Sequence, residues 1–286
     1  MRIAFSTSAC PEWTIETVAA KARAMQFDGV EFRSFGPGST EIACDPMLSE
    51  PRKIDRLFSG LGLTPLSIST SLSFDEPIRP PVIGRVLKDQ AVQARKSKRF
   101  VQHASAMDCP FVRVFAFQTH GKESAAAATK RIVPRLYMAV DGCAKTGVRL
   151  LLENGGSFRT AADLKPLVRG ADLDGLLAVS YSVPVGRAAG ESLEAAMDLL
   201  GEKLQIVKIK DFKDGAPAIA GEGDQDVAGT LDLLASRDFR GWVVYEHDRL
   251  WMPDAISPET ALEPLPRLFA DVLARHREPE AAHAVA

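Results

Sequence analysis

Two glutamates, Glu153 and Glu246, each stand at the C-terminal end of a short apolar run, in VRLLLEN and WVVYEHD. Paired carboxylates at strand ends suit proton transfer on a small polar molecule, one removing a proton beside a carbonyl and the other returning it. Cations occupy equivalent positions. Lys208 and Lys210 close LQIVKIK, Arg33 closes GVEFR, and Arg113 lies in FVRVF. Such groups can neutralise the oxygen of an enediolate, or hold a carboxylate, phosphate or hydroxyl of a substrate. Lys210 and Arg113 are read as substrate contacts in this sense. Arg33 has a competing role, because it shares a strand face with Glu31 and the two can form a buried pair. His120, at the end of VFAFQTH, can reach the same region and offers one nitrogen. His247 has the opposite strand parity from Glu246 and is expected to pack behind its strand.

The elements that must position these residues alternate along the whole chain. Strands are expected at Arg2–Ser6, Gly29–Arg33, Pro65–Thr70, Phe111–Ala116, Val148–Glu153, Leu176–Tyr181, Leu204–Lys210 and Trp242–Glu246. Helix-period segments lie between them: Ile15–Met25, Ile54–Leu61, Leu87–Met107, Ser124–Lys145, Ala161–Val168, Ser192–Leu200, Val227–Ser236 and Pro258–His276. Strand, helix, strand repeated in this way means parallel strands joined by crossovers. Eight units in 286 residues predict an α/β protein with a single (β/α)8 TIM barrel. A doubly wound open sheet is the competitor, but no G-x-G-x-x-G follows the first strand. With no linker in view, residues 1–276 read as one domain and 277–286 as a disordered tail. In a barrel, catalytic residues come from the C-terminal strand ends, which is where Glu153, Glu246, Lys208, Lys210, Arg33 and Arg113 fall.

A net charge of −2 argues against a nucleic-acid partner, which would need clustered cations. The one dense basic run, RKSKR at Arg95–Arg99, fits the solvated face of a helix. Four scattered cysteines without C-x-x-C spacing suggest free thiols in a reducing cytoplasm. No apolar stretch reaches the ~18 residues of a membrane span. The expectation is a cytoplasmic protein without membrane contact. A homo-oligomer through outer helices is compatible with such a barrel, although no exposed stripe specifies one.

The chain resembles the xylose isomerase-like TIM barrels, the sugar-phosphate isomerase and epimerase group that also contains inosose dehydratases and hydroxypyruvate isomerases. The resemblance runs through MRIAFSTSA, FDGVEFR, PFVRVFAF, LLLEN, RAAGESLEAA, IVKIKDF, GEGDQDV and VVYEH. It implies a divalent metal (Mn, Mg or Zn) held at the barrel mouth by an acid, an aspartate, a histidine and a second acid. The outer acids match Glu153 and Glu246. The aspartate position carries Ser182 and the histidine position Lys208. Two histidine positions nearby correspond to Val185 and Gly155. Serine is a poor ligand for a hard ion, and an ammonium cannot coordinate one. The implied metal site is therefore lost or weakened unless His120 completes it.

The reading that follows is an isomerase or epimerase acting on a sugar or polyol. Glu153 and Glu246 serve as base and acid, and Lys208 supplies the positive charge. A Schiff base at Lys208 would give lyase or aldolase chemistry, and dehydratase or lyase is the next reaction class. The alternative is a non-catalytic binding or partner subunit that keeps the fold. A multi-metal nuclease on this fold would require more histidines than the five present.

Overall fold

Eight parallel strands close on themselves in the computed structural model, which describes residues 1–77 and 91–277. In chain order they are β1 (Arg2–Ser6), β2 (Gly29–Arg33), β3 (Thr64–Ser73), β4 (Phe111–Phe115), β5 (Arg149–Glu153), β6 (Leu177–Ser182), β7 (Leu204–Ile209) and β8 (Trp242–Tyr245). Each pairs with the next, and β8 pairs with β1. The expected (β/α)8 barrel is the observed fold, and the expected strands differ from it only at their ends.

Around the strands lie α1 (Ile15–Ala24), α2 (Pro51–Gly60), α3 (Val92–Ala106), α4 (Ala125–Asp141), α5 (Ala161–Ala171), α6 (Val183–Ala188), α7 (Leu193–Leu200), α8 (Val227–Ser236), α9 (Pro258–Leu262) and α10 (Pro264–Arg277). Side chains cap several of these helices. The Thr14 hydroxyl accepts from the Thr17 amide at 3.2 Å, and Ser192 accepts from Ala195 at the same distance. Thr160 and Asp163 form a reciprocal capping box. The single helix expected over Pro258–His276 is two, because Pro264 has no N–H to continue the first. The helix expected from Leu87 is described only from Val92, its start lying outside the described residues. There Arg95, Lys96, Lys98 and Arg99 face solvent while Ser97 is buried, as expected for RKSKR. Of the expected tail, Arg277 ends α10 and the remainder lies outside the described residues. All four cysteines are free and buried. No helix among the described residues is long and apolar enough to cross a membrane.

The main core lies between strands and helices. A second cluster fills the barrel itself: Ala4, Leu66, Phe111, Leu151, Ala178, Ile206, Trp242 and Val244. Its N-terminal end is closed by guanidiniums stacked on rings, Arg2 over Trp242 at 4.0 Å and Arg149 over Phe111 at 4.9 Å. Gly29 is required there, since a Cβ would meet the Thr64 carbonyl at 2.6 Å and the Trp242 ring at 3.0 Å. The register of β2 against β3 slips after Val30, which sits opposite Pro65, whereas Glu31 sits opposite Ser67. This bulge presents a serine rather than Leu66 to Glu31.

Candidate active site

Strand alternation carries the inward face from the apolar plug toward the C-terminal mouth. Leu151 is followed two residues on by Glu153, Ile206 by Lys208, and Val244 by Glu246. Lys208 lies at the centre of the cluster. Its Nζ is 2.8 Å from Glu31 Oε1, 2.8 Å from Glu153 Oε2 and 2.9 Å from Glu246 Oε1. An ammonium has three N–H bonds and no lone pair; this one donates to Glu31 and Glu246 and stands in ion-pair contact with Glu153. Lys208 is fully buried. Burial alone would lower its pKa, but Glu153, Glu246 and Glu31 outweigh burial and hold it above its ordinary value. It is a charged lysine. Burial likewise favours protonation of Glu246, yet Lys208 and Lys210 prevail and hold that carboxyl well below the usual range.

A ring of neighbours fixes the three acids. Ser67 donates to Glu31 Oε2 at 2.9 Å, and Ser180 donates to Glu153 Oε2 at 3.0 Å. Arg113 places Nε 3.6 Å from the same Glu153 oxygen. Lys210 lies 3.1 Å from Glu246 Oε2 and donates to Asp248 at 2.8 and 3.0 Å. Both oxygens of Glu246 therefore face ammonium groups, whereas Glu153 Oε1 has no hydrogen-bond partner among the described residues. Arg113 also donates to the Thr70 carbonyl at 2.8 Å and to the Ser69 hydroxyl, with its guanidinium 4.2 Å from the Phe115 ring centroid. Asn154 ties β5 to β6, accepting from the Ser182 amide at 2.6 Å and donating to the Ser182 carbonyl at 3.1 Å. Ser182 stands directly opposite Lys208 in the register. Below the rim, the Asp211 carboxylate accepts from the amides of Phe212, Gly221, Gly223 and Gln225, which shapes the GEGDQD loop.

A sequence profile of the xylose isomerase-like TIM barrels matches residues 19–270. The chain belongs to this family. No curated protein sequence matches it significantly. Among solved structures, an L-ribulose 3-epimerase is similar over 100% of this chain and 98% of its own, at 16% identity and a TM-score of 0.77. The IolI protein with a zinc atom is similar over 97% and 100%, at 16% identity and 0.75. The Escherichia coli 3-keto-D-glucoside 4-epimerase is similar over 97% and 99%, at 19% identity and 0.66. At such identities the likeness is one of fold.

The divalent ion that the family resemblance implies does not fit the residues present. The acids converge on an ammonium, which would have to be displaced before any ion could enter. No grouping of three or more His, Cys, Asp or Glu side chains among the described residues is arranged to hold a metal. His120 does not supply the deficit: its Nε2 lies 2.6 Å from the Asp75 carbonyl and 3.6 Å from the Asp75 carboxylate.

Of the residues expected at the site, Glu153, Glu246, Lys208, Lys210 and Arg113 come together. His247 packs behind β8, with Nε2 3.0 Å from the Ile256 carbonyl, and its pKa is lowered by burial. The pairing of Arg33 with Glu31 does not form. Residues two apart on one strand face are ~6.6 Å apart, and Glu31 reaches Lys208 across the barrel instead. Glu31 is the site residue that sequence reasoning missed. Its inward parity was legible, but not its partner 177 residues away. Asp248, beyond the end of β8, was missed because no strand pattern reaches it.

Proposed function

We propose that the protein is an isomerase or epimerase of a sugar or polyol derivative that moves a proton next to a carbonyl. Its site corresponds to a metal site whose histidine and aspartate positions are filled by Lys208 and Ser182. The observation that carries this reading is Glu153: a carboxylate at the barrel mouth, anchored through Oε2 by Ser180 and Lys208 while Oε1 has no hydrogen-bond partner among the described residues. That oxygen takes the C–H proton, the C–H bonding pair becomes the new C=C bond, and the carbonyl π pair moves onto oxygen to give an enediolate. Arg113, beside Glu153, is the cation for that oxygen, since the N–H bonds of Lys208 already face carboxylates. Delivery of the proton to the neighbouring carbon, with the hydroxyl proton of that carbon passing to the enediolate oxygen, completes an aldose–ketose isomerisation. Glu246 suits the acid role poorly, because two ammonium groups hold it ionised. One-base shuttling by Glu153 between neighbouring carbons fits better and favours isomerisation, since inversion at a single carbon needs a second acid on the opposite face; Lys208 and Glu246 are then positioning residues. A Schiff base at Lys208 would require a neutral amine, and its carboxylate shell disfavours one. The epimerases among the solved structures of this fold agree with the reaction class.

The same saturation of Lys208 favours a second reading, a barrel that binds a polyol without turning it over. Incubation with a panel of ketoses and keto acids in deuterium oxide separates the two. The proposal expects one deuterium to enter next to the carbonyl, and expects Glu153→Gln to slow entry by about 10²- to 10⁴-fold. A ligand that binds tightly while its C–H bonds stay unexchanged would establish the binding reading instead.

A further inference from the structure

Arg33 is a nearly buried cation, 8% exposed, with no carboxylate within ion-pair distance among the described residues. Its guanidinium donates to the Ser69 carbonyl at 3.0 Å and to the Ser71 hydroxyl at 2.8 Å, both neutral, and Nε has no partner. A guanidinium has five N–H bonds, so most of this fork is unused. Ser69 also accepts from Arg113 through its hydroxyl, which sets two like charges side by side. Burial, and after it Arg113, push the Arg33 pKa down to about 10. Glu31, Glu153 and Glu246 are all bound to Lys208, and Asp248 is bound to Lys210. Among the described residues, no anion contacts the positive charge at Arg33.

Its surroundings have the form of a recognition site. Phe35 and Trp251 lie over the guanidinium, 4.4 and 5.8 Å from it to their ring centroids, and they are 39% and 55% exposed. Phe35 and Ser71 also line a neighbouring cavity of about 330 Å³, whose wall includes Leu72, Phe100, Lys96 and Arg99. The ring of a polyhydroxy compound can stack on rim aromatics while an acidic end meets the guanidinium.

We propose that Arg33 is the seat of an anionic group on the substrate, a carboxylate or a phosphate, so that the protein works on an acidic sugar derivative and not on a neutral sugar. This rests on the proton-transfer reading for the chemistry but concerns only recognition. The test is calorimetric titration of the full chain with D-gluconate, D-glucose 6-phosphate and D-glucitol at fixed ionic strength in chloride. At least one anionic probe is expected to bind roughly tenfold or more tightly than glucitol. Which one does so distinguishes carboxylate from phosphate. Arg33→Gln should reduce that probe to the level of glucitol. Arg33→Lys keeps the charge but loses the fork. It covers the case in which Arg33→Gln fails to fold, and should retain a preference for the anion that is reduced about threefold or more from the parent. Equal binding of all three probes overturns the proposal, and so does an anion preference that survives Arg33→Gln or is undiminished in Arg33→Lys. This titration does not read proton exchange. Anion binding without exchange would leave this inference standing and remove the isomerase reading, and exchange on a neutral ketose without anion binding would do the reverse.

Discussion

Leu151 and Glu153, Ile206 and Lys208, and Val244 and Glu246 are each separated by one pleat repeat, yet the two levels of the barrel interior have little in common. The lower level is a closed apolar plug in which Leu151 and Val244 are fully buried. The upper level is just as dry around Lys208 and Glu31 but consists of ions. In the plug, any well-fitting hydrophobe satisfies its neighbours. In the ionic level each charge is tolerable only because a specific opposite charge touches it. The plug therefore accounts for stability, and the ionic level fixes the orientation of Glu153 at a cost in desolvation.

Breaking the ionic level at its centre should have the largest effect. Lys208→Met leaves three carboxylates facing one another, one of them fully buried, and should destabilise by about 3–5 kcal/mol in urea unfolding. A loss under ~1 kcal/mol would mean that the acids take up protons or water at little expense, and that Lys208 does not organise them. In the plug, Leu151→Ala should cost about 2–5 kcal/mol through the cavity it leaves. Its signature differs from that of Lys208→Met: ligand binding and proton exchange at the mouth should stay near the parent values once the protein is folded. A parallel loss of exchange in both variants would dissolve the distinction between the two levels.

How far each level could be read from sequence follows the same division. Alternation and β-branched runs made the strands legible, because a strand buried on both faces must keep its pattern whatever it does. Glu153, Glu246 and Lys208 were legible as charges at the ends of such runs. Glu31 was not, because its role depends on a bulge between β2 and β3 and on a partner in β7, neither of which leaves a local trace. For the same reason the sequence offers Glu31 as a competing partner for Arg33, whereas the barrel gives that charge to Lys208. Helix α6 escaped because V-P-V-G-R-A has proline and glycine where a helical period is sought, although proline near a helix N-terminus is favourable.

A smaller effect comes from rewriting the centre of the ionic level and not merely breaking it. Lys208→His with Ser182→Asp places a histidine and an aspartate on adjacent, directly paired positions between Glu153 and Glu246. The double variant should bind Mn or Zn at least tenfold more tightly than the parent in a calorimetric titration, the ammonium having been replaced by a ligand. No gain would mean that Ser182 and Lys208 do not occupy ligand positions.

The smallest effect is the most diagnostic of the role of Glu246. Its folded pKa lies below the unfolded value of ~4.3, so it binds fewer protons folded than unfolded in the acid range. The stability it contributes is then present above ~4.3 and is lost as pH falls through the folded pKa. The stability gap between the parent and Glu246→Gln should accordingly stay constant from about pH 6 to pH 8 and narrow only below ~4.3. Half-buried His103 and buried His247, whose pKa values are also lowered, add a decline below ~6.5. That decline is common to both proteins and cancels in the difference. The gap for Leu151→Ala has no titrating group behind it and should not change with pH in this way. A Glu246 gap that closed between pH 5 and 7 would show a carboxyl titrating near neutrality. It would return Glu246 to the part of general acid, and the mouth would then hold a working pair of carboxyls instead of one base and a fixed counter-ion.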